Sequence, residues 1–185
     1  RVPKEWGVQG PEAWQIFLET MVTAIPLNSF NALGLLQGAF DVLIDYTGKR
    51  VVGGKPIRDH LSTAIFLGEM AGAISVIRGH ALETIYQFEN RHIYGDWTSN
   101  AMLAKARSSL TYATKTATEM IAKGMEFMGS YGYVRENEYE KYYREVAVSK
   151  LVLGGMQIGY FTICRNFYDL DFSSFGPGKL QKKDG

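Results

Sequence analysis

One cysteine, Cys164, is all that 185 residues contain. A lone thiol excludes an intrachain disulfide and a cysteine cage for zinc. Its ordinary place is that of a small buried apolar residue. Histidine is nearly as scarce: His60, His80 and His92 are the three, and none stands in an H-x-x-x-H or H-E-x-x-H spacing. No metal site is expected from them. Long apolar runs are missing too. No stretch reaches the ~18 uninterrupted apolar residues of a spanning helix, so no membrane span is expected. Neither charge is in excess, since 20 Lys and Arg stand against 19 Asp and Glu for a net +1. That balance gives no long-range pull toward nucleic acid or anionic lipid. The opening Arg1-Val2-Pro3-Lys4 has no initiator Met and no basic head followed by an apolar core. A secretory signal is therefore not expected, and a piece of a longer protein is. With no disulfide chemistry and no targeting signal, the expected setting is cytoplasmic.

What the chain does have is apolar residues, 46% of the total, in helical rhythm. That is enough for one domain with a substantial core. Residues 1–11 hold Pro3, Gly7, Gly10 and Pro11 and read as a linker or the end of a preceding β-domain. Residues 12–172 read as helices, and residues 173–185 as a flexible tail. In the first helix Ile16, Leu18, Val22, Phe30, Leu33, Leu36, Phe40, Leu43 and Ile44 repeat at helical spacing. Pro26 is expected to kink or break it near Ala24, with Asn28 or Ser29 capping the second piece. A glycine-rich connection follows, with Asp59 as a candidate cap. The second helix, residues 60–92, is assigned a buried stripe of Leu61, Ile65, Ala71, Ile74, Ile77, Ala81, Ile85 and Phe88. The third, capped by Thr98 or Ser99, places Leu103, Ala106, Leu110, Ala113, Ala117, Ile121, Met125 and Met128 on one face. A charged segment from 135 to 145 leads into a last helix over 146–168. Four long helices, short connections and no period-two runs predict an all-α, four-helix up-and-down bundle. The Ala- and Met-rich faces of the third and fourth helices suggest a second buried surface between chains.

A bundle alone does not name a chemistry; the loops carry more. Tyr46, Arg50, Gly54 and Ile57 fit the pattern Y-x-x-x-R-x-x-F-G-x-x-I. Gly129-Ser130-Tyr131-Gly132-Tyr133 resembles G-G-x-G-Y. Lys141-Tyr142-Tyr143-Arg144-Glu145, followed by Gly154-Gly155-Met156-Gln157-Ile158, resembles R-x-x-R-D and then E-G-T-x-E/Q-I. In this order and spacing the three segments resemble the C-terminal helical domain of the acyl-CoA dehydrogenase family, over residues 1–172.

The resemblance implies an oxidoreductase flavoprotein that binds FAD between neighbouring chains of a homo- or hetero-oligomer. It implies an acyl-CoA thioester as substrate, α,β-oxidation as reaction and electron-transfer flavoprotein as redox partner. Arg50 stands where the family's Arg reaches the FAD pyrophosphate of a neighbouring subunit, a task suited to the guanidinium fork. Without the motif, Arg50 reads as a solvated loop arginine. Gly54, Gly129, Ser130 and Gly132 match residues lying against the cofactor, and glycine there permits close backbone approach. The 129–133 segment equally fits a helix cap and turn. Gln157 matches a cofactor-contacting position or is an exposed helix residue. The family's base, the Glu of E-G-T, falls on Leu153. The minority position on the first helix, counted back from Leu33-Gly34-Leu35, falls on Ala24, with Ile25 where an Arg usually follows. Neither can take a proton. Gly53, Leu61, Glu126 and Gly155 also depart from the pattern. Three readings follow: an enzyme domain without its usual base, a non-catalytic subunit or domain of a hetero-oligomeric flavoprotein, and a flavin-dependent monooxygenase on the same scaffold. The tyrosines 131, 133, 139, 142 and 143 read as packing or cofactor contacts rather than a base-stacking surface for nucleic acid.

Overall fold

The computed structural model describes residues 10–168, with Pro3 and Gly7 ahead of them. The expected tail at 173–185 lies outside the described residues. Helix α1 runs Pro11–Lys49, and a two-stranded hairpin follows, β1 (Val51–Val52) with β2 (Lys55–Pro56). Helix α2 spans Leu61–Glu89 and the short α3 Arg91–Tyr94. Then come α4 (Asn100–Met128), α5 (Glu138–Ser149) and α6 (Gly155–Cys164).

The bundle is up-and-down, and single contacts show it. Ser109 Oγ donates to Ser29 Oγ, and Tyr46 Oη donates to the Met128 carbonyl, so α1 and α4 run the same way. Arg78 Nη2 donates to Gln37 Oε1 while Phe88 packs with Val22, so α2 runs back. The fourth helix is α5 with α6, bent by 58° at the break between them. One large cluster fills the bundle around Leu36, Leu43, Phe66, Met70, Ile121 and Tyr139. A smaller one holds Val22, Ile25, Phe88, Met102, Ala106 and Leu110. Each fully buried Leu contributes about 1.5–3 kcal/mol.

Several expectations change. Helix α1 continues through Pro26 as one 39-residue element. Asn28 does not cap a second piece; its Nδ2 donates to the Ala24 carbonyl at 2.8 Å, and Ser29 is buried against Ser109. The missing proline N–H costs one ladder bond, which packing on both sides of the site offsets. The glycine-rich connection is a tight hairpin, since Gly53 (φ 61°) and Gly54 (φ 83°) supply the two positive φ values of its turn. His60, not Asp59, stands at the start of α2.

On α2 the buried stripe is Thr63, Phe66, Met70, Ile74, Ile77, Ala81, Thr84 and Phe88. Leu61 and Ile65 are 75% and 62% exposed instead. This helix is apolar around most of its circumference, so periodicity alone does not choose its inner face. By length and composition it is the one described helix apolar enough to cross a membrane, with mean hydropathy 1.4 over its best window. In the fold its buried stripe joins the two core clusters. The third long helix behaves as expected. Ser99 Oγ accepts from the Met102 N–H, and Ala106, Leu110, Ala113, Ala117, Ile121, Met125 and Met128 are buried. That Ala and Met face is used up inside the bundle, while α2 carries a row of exposed apolar residues on its outward side. The last helix is not one piece over 146–168. Asn137 starts α5 by accepting from the Tyr139 N–H, and positive φ at Leu153, Gly154 and Gly155 breaks the chain before α6.

Candidate functional site

The last turns of α1 place Val42, Asp45, Tyr46 and Lys49 on one side, at helical spacing. Arg50 follows at the C-cap, its N–H donating to the Tyr46 carbonyl at 2.9 Å. Its own carbonyl accepts from the Ile57 N–H at 2.8 Å, which ties the hairpin to the helix end. Across from them the chain leaves α4 through the turn Gly129–Tyr133. Gly129 takes φ 60°, and Gly132 is buried 3.1 Å (to an added Cβ) from Met128 Cβ, where a side chain would crowd the helix end. Tyr131 stacks on Tyr46 with centroids 5.6 Å apart and planes at 15°. Asn137 locks this turn to α5, with Nδ2 donating to the Tyr131 carbonyl and Oδ1 accepting from the Tyr139 N–H, both at 3.0 Å.

These residues line one cavity of about 490 Å³: Val42, Asp45, Tyr46, Lys49, Arg50 and Tyr131, with Met128 and Asn137. Lys49 Nζ lies 2.6 Å from Asp45 Oδ1 and 2.8 Å from its Oδ2, so that acid is neutralised. The Arg50 side chain is exposed and makes no hydrogen bond or ion pair among the described residues. The cavity therefore carries one uncompensated positive charge. The partly negative carbonyls at the end of α1 favour the Lys49 and Arg50 cations there. The arrangement suits an anionic group with a planar portion.

Of the residues singled out in the sequence, Arg50 comes together here with the Gly129–Tyr133 turn that contains Gly129, Ser130 and Gly132. Gly54 is exposed at the tip of the hairpin that leaves Arg50. Gln157 is exposed on α6 and belongs elsewhere. Its neighbours Gly155 and Met156 face Leu110, Thr111 and Thr114 of α4. Thr114 lies about 21 Å along the helix from Met128. Glu126 is exposed and does not line the cavity. Sequence reasoning missed Asp45, Lys49 and Asn137; the unbroken rhythm from Val42 to Lys49 was the available signal. The tyrosine group also divides. Tyr139 is fully buried, its hydroxyl driven to a higher pKa by burial, while Tyr131 belongs to the cavity.

Leu153 lies at this second location, in the turn between α5 and α6. It has φ 53° and ψ 40° and is the one non-glycine residue with positive φ among those described. That conformation costs an L-residue about 1–3 kcal/mol. Its side chain packs on the smaller cluster, which holds Val22, Ile25, Phe88, Met102, Ala106 and Leu110. Its carbonyl accepts from Arg107 Nη1 at 2.7 Å. Ala24 is half-buried on α1, and Ile25 beside it is buried in the same cluster. Neither position carries an acid or a base.

Residues 14–166 match the family model described as acyl-CoA dehydrogenase, C-terminal domain. The chain is 28% identical over 132 residues to the caffeyl-CoA reductase–Etf complex subunit CarC of Acetobacterium woodii, covering 71% of this chain and 33% of that one. It is 26% identical over 159 residues to the mitochondrial short-chain specific acyl-CoA dehydrogenase of Bos taurus, covering 85% and 37%. It thus spans about a third of the length of these curated relatives. Its fold superposes on the crystal structure of acyl-CoA dehydrogenase from Geobacillus kaustophilus with TM-score 0.77 and 22% identity, over 88% of this chain and 40% of that one. With its bundle, its Arg50 hairpin and its glycine turn in family order, this chain belongs to the acyl-CoA dehydrogenase C-terminal domain family.

Proposed function

We propose that this chain serves as the C-terminal helical domain of an acyl-CoA dehydrogenase-type FAD flavoprotein, and that its Arg50 end holds the cofactor's diphosphate. The observation that carries this reading is the cavity at the end of α1. It presents a free guanidinium, a Lys49–Asp45 pair that cancels its own charge, and a glycine turn open to close approach. These residues fit a diphosphate. Arg50 would donate paired hydrogen bonds, Gly54 and Gly129 would leave room for the group, and the stacked Tyr46 and Tyr131 would wall the cavity. FAD, when bound, supplies the hydride acceptor of such an enzyme. An acyl-CoA thioester is the substrate class, and electron-transfer flavoprotein the redox partner, in keeping with the relatives' names.

Assembly with like chains is part of the proposal. The outward face of α2 carries Leu61, Ile65, Val76, Leu82 and Tyr86, all more than half exposed. Such a face favours burial against a neighbour. A second reading is favoured by Leu153. Its side chain is turned into an apolar cluster, where no proton acceptor stands, which suits a non-catalytic subunit that lends Arg50 to a partner's cofactor. The test is Arg50→Ala in the assembled protein. Loss of a charge-assisted hydrogen bond costs about 1.5–3 kcal/mol, which weakens FAD retention roughly ten- to a hundred-fold. Unchanged retention would remove the phosphate role. The flavin spectrum of the intact protein separates the two readings, because a non-catalytic chain alone shows no flavin band.

A further inference from the structure

We propose that Arg107 is a positioning residue: through the Leu153 carbonyl it fixes the left-handed turn that aims the side chain at position 153. The significance of that position rests on the family reading; the holding of the turn does not.

The turn Val152–Gly155 strings together three positive φ values, 53°, 88° and 73°. Gly154 and Gly155 accept theirs without a side-chain clash. Leu153 does so at a cost, which a contact from outside the turn offsets. Its own hydrogen bonds are short-range: the Gly155 N–H donates to the Val152 carbonyl, and the Met156 N–H to the Lys150 carbonyl at 3.2 Å. Both close around Leu153, the first making it a central residue of a tight turn, but neither engages its carbonyl. Arg107, 46 positions earlier on α4, does so with a 2.7 Å bond from Nη1.

The state of Arg107 shows that this is what its charge is for. The side chain is half-buried, and burial lowers its pKa. Its Nε is buried with no hydrogen-bond partner, and it forms no ion pair among the described residues. A half-buried guanidinium without a carboxylate is an unfavourable way to fill space, and an apolar side chain of like length would serve packing better. Close approach of α6 is what brings the group within reach. Gly159 packs on Thr111, and an added Cβ there would lie 4.0 Å from Arg107 Cδ. The stem of Arg107 thus runs along the α4–α6 seam, and its head meets the carbonyl at the start of α6. With that carbonyl fixed, the Leu153 side chain is set against the smaller apolar cluster.

The test is amide hydrogen exchange in the chain as it stands, without flavin or substrate, so its outcome is independent of the dehydrogenase-type reading. Arg107→Met keeps the stem and removes the donor; Arg107→Lys keeps a charged donor; Leu153→Gly removes the need for holding. In Arg107→Met the Gly155 and Met156 amides are expected to exchange about ten- to a hundred-fold faster, while α1 and α2 are unchanged. Arg107→Lys restores most of the protection, and so does Leu153→Gly added to Arg107→Met. Unchanged exchange at Gly155 and Met156 in Arg107→Met overturns the proposal. So does a uniform loosening of all helices, or loss of the fold, that Leu153→Gly fails to reverse; Arg107 would then be a packing residue only.

Discussion

Gly124→Ala exchanges one hydrogen for a methyl and is expected to weaken the fold substantially. Alanine is the better helix former by about 0.8–1 kcal/mol, so propensity alone predicts a gain. The structure predicts the reverse. Gly124 is buried on α4 under Tyr139 of α5, and an added Cβ would overlap the Tyr139 hydroxyl and lie 2.8 Å from Cζ. Tyr139 is fully buried and cannot swing out. Leu43 Cδ2 on the third side, at 3.4 Å, is in ordinary contact and leaves no slack. Overpacking costs about 1–3 kcal/mol, and overlap with a fully buried ring puts this case at about 2–3, so the net loss should be about 1–2 kcal/mol after the propensity gain. Tyr139→Phe supplies the control. The Tyr139 hydroxyl is buried without a partner, so its removal should cost little, within about 1 kcal/mol of neutral. In Gly124→Ala the same change removes the overlapping atom, and the double variant should exceed the sum of the singles by about 1–2 kcal/mol. Urea denaturation followed by helical circular dichroism, with equal slopes, reads all four proteins. A Gly124→Ala chain as stable as the original, or strictly additive changes, would refute the packing argument.

Leu153→Glu should not yield acyl-CoA-dependent flavin bleaching, because the side chain at 153 packs on the smaller apolar cluster, where burial raises a carboxyl's pKa. Rapid bleaching with a panel of acyl-CoA thioesters would show a latent dehydrogenase. Lys105→Met should raise the pKa of both His80 and Glu83, read by NMR titration, since Lys105 bonds Glu83 at 2.8 Å and lowers both groups. Both folded values lie below the ordinary ones, so stability falls as pH drops below about 6.5 for His80 and below about 4.5 for Glu83, and the variant should lose part of that dependence. On the assembly proposed above, Ile65→Lys with Val76→Lys, on the outward face of α2, should lower the sedimenting mass without loss of helix; an unchanged mass would refute this face as the interface.

Much of the bundle was legible because long segments repeat one pattern. The stripe from Ala106 to Met128 needed only counting, and Ser99 announced its helix. What sequence missed has specific causes. Pro26 reads as a break locally, but tertiary packing on both halves of α1 carries the helix through it. On α2 two stripes compete. The true inner one includes Thr63 and Thr84, which a hydrophobic reading passes over, although the Thr84 hydroxyl is satisfied by the His80 carbonyl at 2.8 Å. The outer one, with Leu61 and Ile65, is as apolar yet exposed, so hydrophobicity alone does not rank the two. The break at 153–155 was hidden because Leu153 gives no local sign of a left-handed backbone; the arginine that holds it is 46 residues away. Motif matching placed Arg50 and the glycine turn, but only the fold joined them with Lys49, Asp45 and Asn137 in one cavity.

The two ends of this bundle are built from different parts. The Arg50 cavity draws on the last turns of α1, the glycine turn and Asn137. The Leu153 turn draws on the N-terminal half of α1, the start of α4 and the α5–α6 junction. From Leu110 to Met128 helix α4 rises about 27 Å, so the two ends lie far apart although α1, α2 and α4 each contribute to both clusters. A change at one end therefore leaves the other's geometry intact, as additivity between distant sites requires. For that reason the apolar residue at 153 says nothing against a cofactor role for Arg50. A chain can lose the proton acceptor and still offer its guanidinium to a diphosphate. On the proposed function, FAD retention and acyl-CoA-dependent bleaching would report on separate halves of one domain, and a single substitution that moves both would show the bundle to be coupled along its length.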